Sequence, residues 1–204
     1  MEDKQATEQI VLEALTGEGC AVCRLNRSAL ERWIDSLLRE GITDVKARLG
    51  FRTAGGLCGE HGRLLEERGN PLSVAILMRD LLTEAPPADS PREVRCAACE
   101  FLSETEARYV AALARVLEAD ANRARFASAP ACCTPHVRRL MRRARRSVHG
   151  FLQKTLAAQH APLAAELAEV IRKHDYRYAA EGWGDEADSW RRAVALWSGD
   201  CVAR

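Results

Sequence analysis

Cysteine and histidine recur in this chain at one fixed interval. Cys20-Ala21-Val22-Cys23 is followed by Cys58-Gly59-Glu60-His61, and Cys96-Ala97-Ala98-Cys99 by Cys133-Thr134-Pro135-His136. Residues 24–57 separate the first two segments and residues 100–132 the second two, 34 and 33 residues. Three thiolates and one imidazole suit a tetrahedral Zn²⁺ ion, and a second copy at matched spacing argues against coincidence. By spacing alone, each Cys-x-x-Cys shares an ion with the Cys-x-x-His that follows it, giving two zinc ions per chain. All four positions are filled by protein; such closed sites are structural, whereas catalytic zinc keeps a position open. An iron–sulfur cluster is the alternative for the same ligands. Haem attachment is excluded because Arg24 and Glu100, not His, follow the two Cys-x-x-Cys motifs. Thioredoxin-like redox chemistry is disfavoured because neither motif follows a strand. Cys132 reads as a small buried apolar residue beside the ligand Cys133, and Cys201 as an exposed thiol near the end of the chain.

The residues around these motifs are helix formers. Ala, Leu, Arg and Glu recur while aromatics make up only 5%, and no segment alternates convincingly as a strand. Leu30, Trp33, Ile34, Leu37 and Leu38 fall at three- and four-residue spacing, as do Val110, Leu113, Val116 and Leu117. The expected fold is all-α: a duplicated zinc-stapled helical module followed by a C-terminal helical hairpin. Each copy reads as a long helix (25–39, 103–119), a short one (45–49 behind the N-cap Asp44, then 121–126) and a third opened by Cys-x-x-His (59–68, 135–159). A further helix is expected over 71–82, and the last two over about 162–178 and from 185 to just before Ser198. The expected domains are 1–82 and 93–159 for the two repeats, a proline-rich linker over 83–92, and 160–204 for helices packing on the repeats. Metal ligands at helix starts have a physical logic, since the positive dipole end and the free N–H groups favour thiolate.

No apolar run approaches the roughly 20 residues that span a bilayer, and the polar start Met1-Glu2-Asp3-Lys4-Gln5 lacks a secretory apolar region. The expectation is a cytoplasmic protein without a membrane partner, in a compartment where thiols stay reduced and bind metal. Charge is unevenly spread. Residues 1–90 hold 11 Lys/Arg against 15 Asp/Glu, and residues 121–165 hold nine Lys/Arg with no acid at all. Six of the nine are Arg138, Arg139, Arg142, Arg143, Arg145 and Arg146, a cluster that needs a counter-charge: a nucleic-acid backbone, an acidic protein, or acidic helices elsewhere in this fold. Base-stacking aromatics are not interleaved with these arginines in the sequence, so sequence-specific single-strand recognition is not expected.

The C-terminal segment is dense in polar side chains. His174, Asp175, Tyr176, Arg177, Glu186 and Trp190 are the catalytic candidates, with His174 and Asp175 or Glu186 as an acid–base pair. Neighbours on a helix point about 100° apart, so His174 and Asp175 make no dyad by themselves, and a structural network is the plainer reading. The segments CAVCRL, EGITDVKARLGFRTAGGLCGEHGRLL, CAACEFL, ACCTPHVRRL, KHDYRY and DSWRRAVALWSG together resemble a bacterial family of uncharacterised proteins with a duplicated Cys-x-x-Cys…Cys-x-x-His module and a His-Asp-Tyr-Arg tail. The resemblance spans about residues 10–200; Ala21 stands where that pattern has Pro, which touches no ligand. It implies the fold plan and a role for His174, Asp175, Tyr176, Arg177 and Trp190, and no established activity. Three functions follow as expectations: a zinc-stabilised binding or adaptor protein for an anionic partner, an enzyme with a pocket walled by the C-terminal helices, or a metal or redox sensor losing zinc on thiol oxidation.

Overall fold

The computed structural model describes residues 2–40, 43–83, 96–128, 132–178 and 180–199. Ten α-helices occur among them, with no strand: α1 (Glu2–Ala14), α2 (Ala21–Glu40), α3 (Val45–Thr53), α4 (Gly59–Arg68), α5 (Pro71–Thr83), α6 (Ala97–Val116), α7 (Asp120–Ser128), α8 (Thr134–Arg143), α9 (Arg146–Lys173) and α10 (Ser189–Ser198). Two 3₁₀ turns, Tyr176–Tyr178 and Asp185–Asp188, lie between the last two. Helices α2, α3 and α4 have 20, 9 and 10 residues, and so do α6, α7 and α8. No described helix is long and apolar enough to cross a membrane. The linker expected over 83–92 falls, after Thr83, outside the described residues, as does Cys201.

The chain gathers into two compact units that do not follow chain order. One is built from residues up to Leu25 and from Ala107 onward, the other from Asn26–Glu106. The boundaries fall at Leu25 and Asn26, within the range of α2, and at Glu106 and Ala107, within that of α6. In the first unit Val11 and Leu15, at the end of α1, share a core with Val22, Leu113, Leu117, Phe126, Val137, Leu140, Val148 and Leu152. In the second, Leu30, Ile34, Leu37 and Leu38 of α2 share a core with Phe51, Leu65, Leu77, Ala98 and Leu102.

Helix α1 was not expected, α2 and α6 start four and six residues earlier than expected, and two further boundaries differ. The helix expected over 135–159 is broken at Ala144 and Arg145, whose backbone is extended (ψ 154° and 153°). No proline or glycine marks the break; the His149 ring lies 3.1 Å from the Ala144 carbonyl that the break releases and so compensates it. Conversely, no helix starts near Pro162, which lies inside the 28-residue α9. A proline there deprives the Ala158 carbonyl of its intrahelical donor, but Ala158 and Pro162 are both exposed, so water can serve that carbonyl and the helix continues.

Candidate metal centres

All four half-sites share one local geometry. Cys20, Cys58, Cys96 and Cys133 each stand immediately before a helix, and each carbonyl accepts the first helical hydrogen bond, from the N–H of Arg24, Gly62, Glu100 and Val137 at 3.0, 2.8, 3.1 and 3.0 Å. These cysteines are therefore N-cap residues, and Cys23, His61, Cys99 and His136 occupy N3. The N-cap and N3 side chains of a helix converge, which is the basis of the reciprocal capping box. Here a thiol and a second ligand take that geometry, and neither Cys58 nor Cys133 makes a side-chain capping bond. Each helix start thus points two donors at one place, beside the positive end of its dipole.

The half-sites combine crosswise. Cys20 and Cys23 meet Cys133 and His136, while Cys58 and His61 meet Cys96 and Cys99; in each group all ligand atoms lie within 4.8 Å of one another. This corrects the pairing that spacing predicts, in which each Cys-x-x-Cys joins the next Cys-x-x-His. The reason is helix length. At 1.5 Å per residue, α2 and α6 are each about 30 Å long, so a copy's own Cys-x-x-His follows from the far end of its long helix. In the first unit the start of α2 shares a core with Leu113 and Leu117 at the end of α6, and the ligands that follow α6 are Cys133 and His136. In the second unit the start of α6 shares a core with Leu37 and Leu38 of α2, and the ligands that follow α2 are Cys58 and His61.

Distances fit a mononuclear ion. A tetrahedron with metal–sulfur bonds of about 2.3 Å has sulfur–sulfur edges of about 3.8 Å. In the first centre Cys23 and Cys133 sulfurs are 3.7 Å apart, and His136 Nδ1 is 3.3, 3.4 and 3.0 Å from Cys20, Cys23 and Cys133. In the second, Cys58 and Cys99 sulfurs are 4.0 Å apart, and His61 Nδ1 is 3.2, 3.4 and 3.5 Å from Cys58, Cys96 and Cys99. The two differ in exposure. All four ligands of the first are buried, whereas Cys58 and Cys99 of the second are only half-buried, and the buried His61 Nε2 has no hydrogen-bond partner among the described residues. Gly56 secures the second centre: its carbonyl accepts the Ala97 N–H at 3.1 Å, and at its φ of +85° a side chain would be strained.

The thiols cannot all carry charge at such range. Hydrogen bonds from Cys132 and Cys133 hold the Cys20 thiol far below its ordinary value. Cys23 is pushed up by Cys133, and Cys133 in turn by Cys20. In the second centre burial pushes Cys99 up to about 12; burial also opposes ionisation of Cys58, but hydrogen bonds from the His61 backbone and from neighbouring thiols bring it below the ordinary value. A coordinated cation removes this conflict by deprotonating each thiol it binds. Cys132 is buried, its sulfur 3.7 Å from that of Cys20, and that hydrogen bond and burial keep it protonated. Leu57 stands at the matching position before Cys58.

One contact to the first centre gave no signal in the sequence. Gly199, just after α10, has φ +80° and ψ 159°, and a Cβ built there would lie 3.2 Å from the Cys133 sulfur and 3.4 Å from that of Cys23. The backbone requires glycine, since this region costs other residues about 1–3 kcal/mol, and a Cβ there would press on both sulfurs. Gly199→Ala is expected to weaken metal binding at the first centre and leave the second unchanged, as read by competition with a chromophoric chelator.

The C-terminal candidates do not converge on one another. His174 Nδ1 lies 2.8 Å from the Val170 carbonyl, and its ring is 5.2 Å from that of Trp183. Asp175 pairs with Arg177 at 2.6 Å. Tyr176 is exposed, and Trp190 has the Arg191 guanidinium over its ring. Glu186 accepts the Gly184 N–H at 2.9 Å and pairs with Lys173 at 2.7 Å. Those two donors hold its carboxyl at about 2, against an ordinary 4.5. With its value depressed in the folded state, Glu186 contributes stability that is complete above 4.5 and lost as pH falls towards 2. Glu186→Gln is therefore expected to lower the melting temperature by a constant amount above about pH 5, the gap to the parent closing on acidification.

The arginine cluster divides at the helix break. Arg138, Arg139, Arg142 and Arg143 are on α8, whereas Arg145 caps α9 and reaches Glu118 at 3.1 Å. Arg142, Arg143 and Arg146 are exposed and make no ion pair among the described residues.

With this geometry in hand, comparison with known proteins gives a family. Residues 87–204 match the model described as "Family of unknown function (DUF6062)". The chain belongs to that family. The matched stretch contains one half of each centre, Cys96 with Cys99 and Cys133 with His136, so neither is complete within it. A relative from Caldicellulosiruptor sp. (strain Rt8B.4), an uncharacterised 23.9 kDa protein in the xynA 3' region, is 26% identical over 202 residues, covering 93% of this chain and 99% of its own length. No solved structure matches.

Proposed function

We propose that this chain is a helical binding protein held together by two structural zinc ions, and that its α8–α9 surface engages an anionic partner. The observation that carries the metal half is the convergence of three sulfurs and one imidazole nitrogen within 4.8 Å, twice, with every position supplied by protein. Zinc is favoured over an iron–sulfur cluster because a cluster puts its ligands on separate irons and so needs wider spacing than edges of 3.7 and 4.0 Å. The anionic partner is supported by Arg142, Arg143 and Arg146, exposed and without a carboxylate among the described residues, beside a stretch free of acids. The enzymatic alternative has less support, since His174, Asp175 and Glu186 are each engaged with a different partner.

Elemental analysis of the purified protein tests the first half: two zinc per chain are expected, and iron with acid-labile sulfide would overturn it. Heparin retention tests the second. Reversing Arg142, Arg143 and Arg146 to Glu is expected to abolish retention at low salt and leave zinc content and helicity unchanged. Unfolding of the triple variant would mean that these arginines serve internal pairs.

A further inference from the structure

We infer that the anionic partner is a single-stranded nucleic acid, bound along α10 and the adjoining face of α8; this rests on the anionic-partner reading above. Three observations in the first unit combine. Trp190, Val194 and Trp197 of α10 are exposed by 51, 60 and 59%. Spaced four and three residues apart, they form one stripe along the helix, and soluble proteins rarely leave such a stripe bare without a use for it. The stripe is not merely apolar. The Arg138 guanidinium sits 5.5 Å from the Trp197 ring centre, the His160 ring 6.3 Å from it, and Arg191 lies 4.8 Å from the Trp190 ring centre. Finally, Arg142 lies one helical turn beyond Arg138 on the same face of α8, exposed and with no carboxylate among the described residues.

Alternating indoles and guanidinium groups match the alternation of base and phosphate in an unpaired strand. Indole faces stack on bases, and arginines held beside them meet the phosphates. A duplex fits poorly, because its bases are stacked on each other and offer no face to an exposed tryptophan. An acidic helix would answer the arginines and Val194 but gives two flat indoles nothing flat to lie against. In the sequence these aromatics lie apart from the arginine cluster; the fold brings Trp197 to Arg138.

The test uses the full-length zinc-loaded protein with a 15-nucleotide oligouridylate, a duplex of the same length, heparin and polyglutamate, at low salt. The oligouridylate is expected to bind and quench tryptophan fluorescence, and to bind more tightly than the duplex. Trp190→Ala with Trp197→Ala is expected to weaken it by roughly thirtyfold or more while heparin binding and zinc content stay unchanged. Arg138→Gln with Arg142→Gln is expected to weaken it and flatten its salt dependence. Binding of heparin or polyglutamate without the oligonucleotide would overturn the inference and leave the anionic-partner reading intact. The inference also falls, with that reading still standing, if the duplex binds equally well or the tryptophan variant binds normally. Binding of none of the four probes removes both.

Discussion

A chain carrying Cys23→Ser and Cys133→Ser together is expected to keep one metal ion of two, whereas Cys23→Ser with Cys58→Ser is expected to keep none. The crosswise grouping of ligands puts the first two residues in one centre and the second two in different centres. Pairing within each copy predicts the reverse, so two double mutants separate the topologies outright. The energetic stake is large. Structural zinc sites bind with apparent free energies of roughly 10–16 kcal/mol in peptides, comparable to the whole stability of an ordinary domain, about 5–15 kcal/mol. Losing the first centre should therefore unfold the first unit and leave Trp33, stacked on Phe101 at 5.7 Å in the second, in its native environment. Metal content and Trp33 fluorescence, read with the other three tryptophans replaced by Phe, report both results. One ion retained in the Cys23→Ser/Cys58→Ser chain would falsify the crosswise assignment.

Graded chelation is expected to empty the second centre before the first, in two separate phases. Cys58 and Cys99 are half-buried while every ligand of the first centre is buried, so a chelator reaches the second more readily. His61 also lacks a hydrogen-bond partner at Nε2 among the described residues, and removing such an outer partner from a ligating His weakens metal binding about 10–100-fold. The Trp33 signal should change in the first phase, and Trp183, Trp190 and Trp197 in the second. Circular dichroism should lose helix in both. Helicity that survives complete metal removal would show that the ions do not hold the fold.

The eight Cys and His residues that the fold gathers into two groups were legible because few chemistries require three thiols and an imidazole at that interval. Their partners were not. Sequence spacing gives the length of α2 but not that the segment beyond it completes a centre at the start of α6. Helix content was likewise plain from periodicity, but α1 escaped because its first half is polar and its buried contribution narrows to Val11 and, just beyond its end, Leu15. The break at Ala144 and Arg145 carries no proline or glycine, and the proline that suggested a boundary, Pro162, sits where solvent can serve the freed carbonyl. The proximity of Trp197 to Arg138 and of Gly199 to the Cys133 sulfur arises only in the folded chain. No local pattern encodes either.

The crosswise centres are nested along the chain, the second lying wholly between the ligands of the first. On a ribosome this sets a timetable. Cys20 and Cys23 emerge first, yet Cys23 stands 110 positions before Cys133, and at about 5–20 residues per second that interval takes roughly 5–20 s to synthesise. Cys58 and Cys99 are only 41 positions apart, so the inner group has all its residues while the outer one still lacks half. For those seconds the newborn chain carries Cys20 and Cys23 without the two residues that face them once it has folded.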